Sequence, residues 1–192
     1  MTQQIGVLVL AAGAASRFGS AKQLLNYRGR SLVQHCIDKA NRLCPGRVFV
    51  VLGANQELIE PLISDAKIIR NHAWQQGLGA SIAVGIDNID PQSDGLLILL
   101  ADQVALTTDE LNLLLDAFDG SNTVAAHYAG RHGVPAIFPR SLYAELRALS
   151  GDSGAKALLQ RSDVNITEID LPNAAMDIDT PEDWAVFLKS LN

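Results

Sequence analysis

Four short runs of the chain, IGVLVLAA from Ile5, RVFVVLGA from Arg47, AKIIRN from Ala66 and DGLLILLAD from Asp94, are nearly continuous in apolar residues. Runs without polar alternation are what strands buried on both faces require, so they predict a parallel sheet. Between them the period changes. SLVQHCIDKANRL sets Leu32, Val33, Cys36, Ile37, Ala40 and Leu43 on one helical stripe behind a capping Ser31, and NQELIEPLI and GLGASIAVGIDNI fill the next two gaps. Alternation of strand and helix implies right-handed crossovers with helices on both faces, a Rossmann-like, doubly wound, mostly parallel α/β sheet.

The second half is less regular. TTDELNLLLDAF predicts a helix opened by a Thr107–Glu110 capping box, NTVAAHY, VPAIF and VNITEIDL predict strands with some antiparallel pairing, and PRSLYAELRAL and SGAKALLQR predict helices. Thr180 caps, and Pro181 opens, a last helix PEDWAVFLKSL. With no repeat, linker or low-complexity tract, residues 1–192 are read as a single domain.

Composition narrows this picture. The 192 residues, 48% hydrophobic and 19% charged, suffice for one sizeable core. A net charge of −6 argues against a broad surface for nucleic acid, so any phosphate site is expected to be local. The apolar run near the amino terminus follows MTQQ, which has no basic residue, and is too short to span a bilayer; neither a leader nor a membrane span is expected. The two cysteines, Cys36 and Cys44, lack a second pair for a metal site and are read as reduced packing thiols of a cytoplasmic protein.

Candidate chemistry begins at LAAGAASRFGSAKQLL, which follows the first strand directly. It fails the P-loop template, because Gly19 is followed by Ser20 rather than lysine, and fails the dinucleotide template, because Ala15 stands where a glycine is needed. What remains is a strand ending in a flexible loop whose amides can converge on phosphate oxygens, with Arg17 and Lys22 to neutralise charge. A plain Gly/Ala turn with two solvated basic residues is the alternative. Asp102 ends the most apolar strand, at the sheet edge where ligands of open α/β folds bind, and a carboxylate there can hold Mg²⁺ beside phosphates or simply cap a loop. Asp177 and Asp179, two apart in MDIDTPEDW, would face one side of an extended segment, and such acids need a metal or a Lys/Arg contact nearby.

Six segments in chain order, LAAGAASRFGSAK, NHAWQQGLGASIAVGI, ADQV, GVPAIF, GDSGAKALL and DIDTPEDW, resemble the MobA-like nucleotidyltransferase superfamily, and within it the CTP-dependent molybdenum cofactor cytidylyltransferases. The resemblance spans nearly the whole chain and implies the nucleotide-diphospho-sugar transferase type of fold, with a nucleotide-binding half over about 1–105 and an acceptor-binding half over about 106–192. It implies that Arg17, Lys22 and Asp102 carry catalysis, that Leu10, Ala11, Ala12 and Gly13 join Arg17 and Lys22 around the triphosphate, and that Gly77, Gly79 and Ser81 approach base and ribose. Mg²⁺ falls to Asp102 and Asp179, with Asp177 in reserve, and His132, Pro135 and Lys156 are candidate acceptor contacts. The implied reaction joins CMP from CTP to a molybdopterin-type acceptor with release of pyrophosphate, and a molybdoenzyme or its chaperone is an implied partner. Guanylyl relatives tend to read Leu-Ala-Gly-Gly where this chain has Leu10-Ala11-Ala12-Gly13, so Ala12 points to CTP. Two departures touch the acceptor side: Val104 stands where the family often has proline, and His132 is displaced from Pro135. Use of GTP, a sugar or alcohol phosphate as acceptor, and a non-catalytic nucleotide-binding assembly protein are the other readings. His127 and His132 are not needed as bases, because an attacking phosphate is already ionised. Lys156 also suits a solvated face, and Trp74 and Trp184 are most simply packing residues.

Overall fold

The computed structural model describes residues 3–190. In chain order its elements are β1 (Ile5–Ala11), the two-residue strands β2 (Asn26–Tyr27) and β3 (Arg30–Ser31), α1 (Leu32–Leu43), β4 (Val48–Leu52), α2 (Gln56–Ile59), β5 (Lys67–Arg70), α3 (Leu78–Ile86) and β6 (Gly95–Leu100). The second half adds α4 (Thr108–Ala117), β7 (Thr123–Tyr128), β8 (Arg131–Pro139), α5 (Tyr143–Arg147), α6 (Lys156–Leu159), β9 (Ile166–Asp170) and α7 (Pro181–Lys189). One seven-stranded sheet runs β5-β4-β1-β6-β8-β7-β9, and β2 and β3 form a separate hairpin.

The continuous apolar runs become the parallel centre: β1 pairs in parallel with β4 and β6, and β4 with β5. Every residue of β1 and β4 is buried, as strands covered on both faces demand. Two clusters of buried residues line the two faces, one around Val7, Val9, Val50 and Leu97 under α1 and α4, the other around Leu8, Ile82, Ile98 and Phe138 under α3 and α5. The caps read from sequence form as expected: Ser31 accepts from the Gln34 amide, and Thr107 with Glu110 and Thr180 with Asp183 make reciprocal capping boxes. Among the described residues no helix is long and apolar enough to cross a membrane.

Two expectations change. NQELIEPLI gives only the four residues of α2 before a 3₁₀ turn over Glu60–Leu62, because Pro61 interrupts the α pattern. SGAKALLQR shrinks to α6, following a turn through Gly151 and Gly154, both at positive φ. The mixed pairing of the second half is real but specific: β8 is antiparallel to both β6 and β7, whereas β9 is parallel to β7. The predicted last helix reaches Leu191, which lies outside the described residues.

Strand order reverses between β1 and β6, so a crevice opens outside their carboxyl ends. That is where the LAAGAASRFGSAK loop and Asp102 leave the sheet.

Candidate active site

Leaving β1 at Ala11, the chain runs through an irregular loop to a 3₁₀ turn at Lys22–Leu24. Gln23, 4% exposed, fastens that loop by donating from Nε2 to the carbonyls of Ala11 and Gly13 at 3.2 and 2.9 Å. The Ala12 carbonyl accepts from the Ala54 amide, tying the loop to the end of β4. Gly13 is exposed, and a Cβ there would meet nothing within 4 Å. This fixed, open loop forms one wall of a cavity of about 420 Å³ whose lining includes Leu10, Ala11, Ala12, Gly13, Arg17, Lys22, Gly77, Ser81, Asp102 and Asp179.

The charged groups meet at one edge of this cavity. Lys22 Nζ donates to Asp102 Oδ2 at 2.6 Å and to Asp179 Oδ1 at 2.8 Å, and Arg17 pairs with the other Asp179 oxygen at 2.7 Å. Asp179 is brought to Asp102 by a backbone bond from the Ile178 amide to the Asp102 carbonyl, with Ile178 itself fully buried. Burial opposes the charge on Lys22, but the two carboxylates overcome it and hold its pKa above the usual lysine value. Lysine and arginine contacts thus answer part of the need that close acids create.

They do not answer all of it. Oδ1 of Asp102 and Oδ1 of Asp177 are both buried without a hydrogen-bond partner. Asp177 and Asp179 share part of their surroundings: Asp179 pairs directly with Arg17 and Lys22, whereas Asp177 feels Asp102, Asp179, Lys22 and Arg131 and affects Tyr128. Its carboxyl is pushed up to about 6, by burial first and then by the charges of Asp102 and Asp179. Unpartnered oxygens among excess negative charge fit a hard cation with oxygen ligands. Among the described residues no three His, Cys, Asp or Glu groups are arranged to hold an ion unaided, so such a cation would take further ligands from water or a bound anion.

The raised Asp177 value has a sign that can be worked out. The native pKa lies above the ordinary 3.8, so the carboxylate destabilises the metal-free fold fully above about 6, and the penalty disappears as pH falls through 3.8. Asp177→Asn is therefore expected to stabilise the chelator-treated protein at pH 7 by on the order of 2 kcal/mol and to give no gain near pH 4. Thermal denaturation at the two pH values checks this, and an equal gain at both would contradict it.

The remaining expected residues separate. Ser81, 2% exposed, accepts from Asn71 Nδ2 at 3.0 Å, and Asn71 Oδ1 also accepts from the Ala73 amide, which sets the turn carrying Trp74 into the cavity wall. Gly77 reaches the cavity but Gly79 does not line it: a Cβ on Gly79 would lie 2.7 Å from Ser150 backbone, and its amide donates to the Gly151 carbonyl at 2.8 Å. The close approach anticipated there is to another loop of the chain. His132 and Lys156 line a second cavity of about 230 Å³, which shares Leu10, Leu78, Leu100 and Asp152 with the first. His132 Nε2 lies 3.0 Å from Glu168, and Pro135 is buried in β8 outside both linings.

Sequence reasoning passed over Gln23, Asn71, Asp152 and Arg131, and gave Trp74 only a packing role. Asn71 follows β5 at its carboxyl end, so the edge rule that singled out Asp102 would have found it. Trp184 packs as expected, stacked on Phe187 and edge-on to Tyr27.

Comparison with known proteins extends this geometry. The model of the MobA-like NTP transferase domain matches residues 7–166. Nicotine blue oxidoreductase of Paenarthrobacter nicotinovorans is 33% identical over 92% of each chain, and purine catabolism protein PucB of Bacillus subtilis (strain 168) is 27% identical over 98% of this chain and 97% of its own. The structure of Rv0371C from Mycobacterium tuberculosis H37Rv in complex with manganese superposes with a TM-score of 0.82 at 25% identity, covering 98% of this chain and all of the other.

Proposed function

The chain belongs to the MobA-like NTP transferase family and is a nucleotidyltransferase, and on that premise we propose that it transfers CMP from CTP to the terminal phosphate of a molybdopterin-type acceptor. The observation that carries this reading is the meeting of Arg17, Lys22, Asp102 and Asp179 beside a cavity at the carboxyl ends of β1 and β6. Charge neutralisation and positioning are what transfer to an already ionised phosphate demands.

An acceptor phosphate oxygen attacks the α-phosphorus in line. The new P–O bond forms as the bond to the β-phosphate breaks, and pyrophosphate leaves with the electron pair. No base is required, in keeping with His132 facing Glu168 rather than the acidic centre. Arg17 and Lys22 meet triphosphate charge, and the amides around Ala12 and Gly13 supply neutral donors. Mg²⁺ held by Asp102 and Asp179 would neutralise charge developing on the phosphoryl oxygens, and the manganese bound by the Rv0371C neighbour supports a divalent ion here. Ala12 supports CTP over GTP.

The second cavity supports the acceptor. Leu10, Leu78, Ile82, Ile98, Leu100 and Val134 give it an apolar body, with Arg131 and Lys156 at its margin, which suits a flat ring system bearing an anionic group better than a polyhydroxylated sugar. One relative is named an oxidoreductase. The paired acids and bases described here are groups for handling phosphate, and they favour transfer.

Two experiments test the reading. Incubation with α-labelled CTP, Mg²⁺ and molybdopterin is expected to move label into a CMP–pterin product, and label confined to CTP would contradict it. Gly13→Ala, which meets no protein atom, is expected to leave stability unchanged and to raise the nucleotide KM about ten-fold if the loop backbone closes on phosphate. An unchanged KM would remove the loop from the triphosphate site.

A further inference from the structure

The second cavity exists because β8 leaves β6. Pairing between them runs only from Gly95↔Pro139 to Ile98↔Ala136, while β6 continues against β1 as far as Leu100. On its other side β8 shifts register against β7, from Ala125↔Ala136 to Ala126↔Gly133, so Val134 and Pro135 form a bulge. A bulge takes residues out of the ladder, and their polar backbone groups then need other partners.

For Val134 those partners are two side chains. Its carbonyl accepts from Gln103 Nε2 at 2.8 Å and from the Tyr128 hydroxyl at 3.1 Å. Gln103 is 4% exposed, follows Asp102 directly, and donates from the same nitrogen to the Ala174 carbonyl at 2.9 Å. It therefore joins the loop bearing Asp102, the bulged wall of the cavity and the segment leading to Asp177 and Asp179. Tyr128 fits against the bulge only because residue 133 is glycine: a Cβ there would collide with the Tyr128 hydroxyl.

We infer that Gln103 and Tyr128 are positioning residues that fix the shape of the acceptor cavity by gripping the Val134 carbonyl freed by the bulge. This assignment to the acceptor rests on the function proposed above; the grip itself does not. Tyr128 lines the acceptor cavity and not the triphosphate cavity, so its effect falls on the acceptor, whereas Gln103 also braces the loop that bears Asp102.

Tyr128→Phe, which removes one oxygen and keeps the ring, is the primary variant, with Gln103→Leu and the double variant beside it. Amide hydrogen exchange is expected to rise about ten-fold at residues 131–134 and 136 while β1 and α3 stay protected. In turnover, Tyr128→Phe is expected to raise the acceptor KM about ten-fold, with the nucleotide KM within about two-fold of the parent, while Gln103→Leu is expected to lower kcat as well, through the Asp102 loop. The double variant should fall short of the product of the two effects, because both groups grip one carbonyl. Unchanged exchange would overturn the grip, whatever the enzyme turns over. Raised exchange with both KM values rising together, or neither, would overturn the link to the acceptor. A parent protein inactive with molybdopterin would instead count against the proposed function, leaving the exchange result to decide the grip.

Discussion

Asp102→Asn is expected to lower nucleotidyl transfer about a thousand-fold, roughly 4 kcal/mol of transition-state stabilisation, while leaving the fold in place. The rate effect follows from charge. Asparagine keeps the shape of the side chain but takes away a negative oxygen that, on the proposed function, would face a cation and the developing phosphoryl charge. The fold is spared for three reasons visible around the residue. Lys22 keeps Asp179 as a partner at 2.8 Å. Asp102 Oδ1 has no hydrogen bond to lose. Removing one acid also relieves Asp177, whose pKa Asp102 helps to raise. Steady-state kinetics beside thermal denaturation separate the two effects, and near-parent turnover in a folded variant would displace Asp102 from the reacting centre.

Gly77→Ala is expected to have the largest effect on stability, about 3 kcal/mol, or a midpoint lowered by roughly 10 °C in a chain of this length. Gly77 precedes α3 at φ +96° and ψ −177°, a conformation open almost only to glycine. A methyl group would also lie 2.5 Å from the Gly151 carbonyl oxygen and 2.6 Å from Asp152 Oδ1. Relief requires the loop at 150–152 to part from the start of α3, and Gly77, Ser81 and Asp152 all line the larger cavity. Nucleotide binding should therefore weaken along with the fold. Gly13→Ala is the control, since the same added methyl meets no protein atom there. A Gly77→Ala protein as stable as its parent would show that the loop contact is not what sets this backbone.

These two residues also mark how far the sequence could be read. The position of Asp102 was legible because it follows an unbroken apolar run too short for a buried helix, which is the pattern of a strand covered on both faces. The parallel centre of the sheet and the three side-chain helix caps were visible for the same reason: the signal is local. Gly77 was legible as a glycine but not in its role, because the atoms that demand it belong to residues 150–152. The grip of Lys22 on Asp102 and Asp179 joins residues 80 and 157 positions apart, and no local pattern encodes it. The bulge at Val134 was hidden likewise, since VPAIF reads as an ordinary strand and the register is set by β6 and β7 together. Trp74 was given a packing role because a tryptophan near a turn carries no mark of facing a cavity; the buried Asn71 that turns it there is what places it.

On the proposed function, the acid–base cluster at the ends of β1 and β6 drives nucleotidyl transfer from CTP. Pyrophosphate release by the purified protein with Mg²⁺ and molybdopterin, compared across CTP, GTP, ATP and UTP, tests it most directly. Acceptor-dependent release with CTP well above the other three, lost in Asp102→Asn, is the expected result. Release with none of the four nucleotides, or release that Asp102→Asn leaves intact, would contradict it.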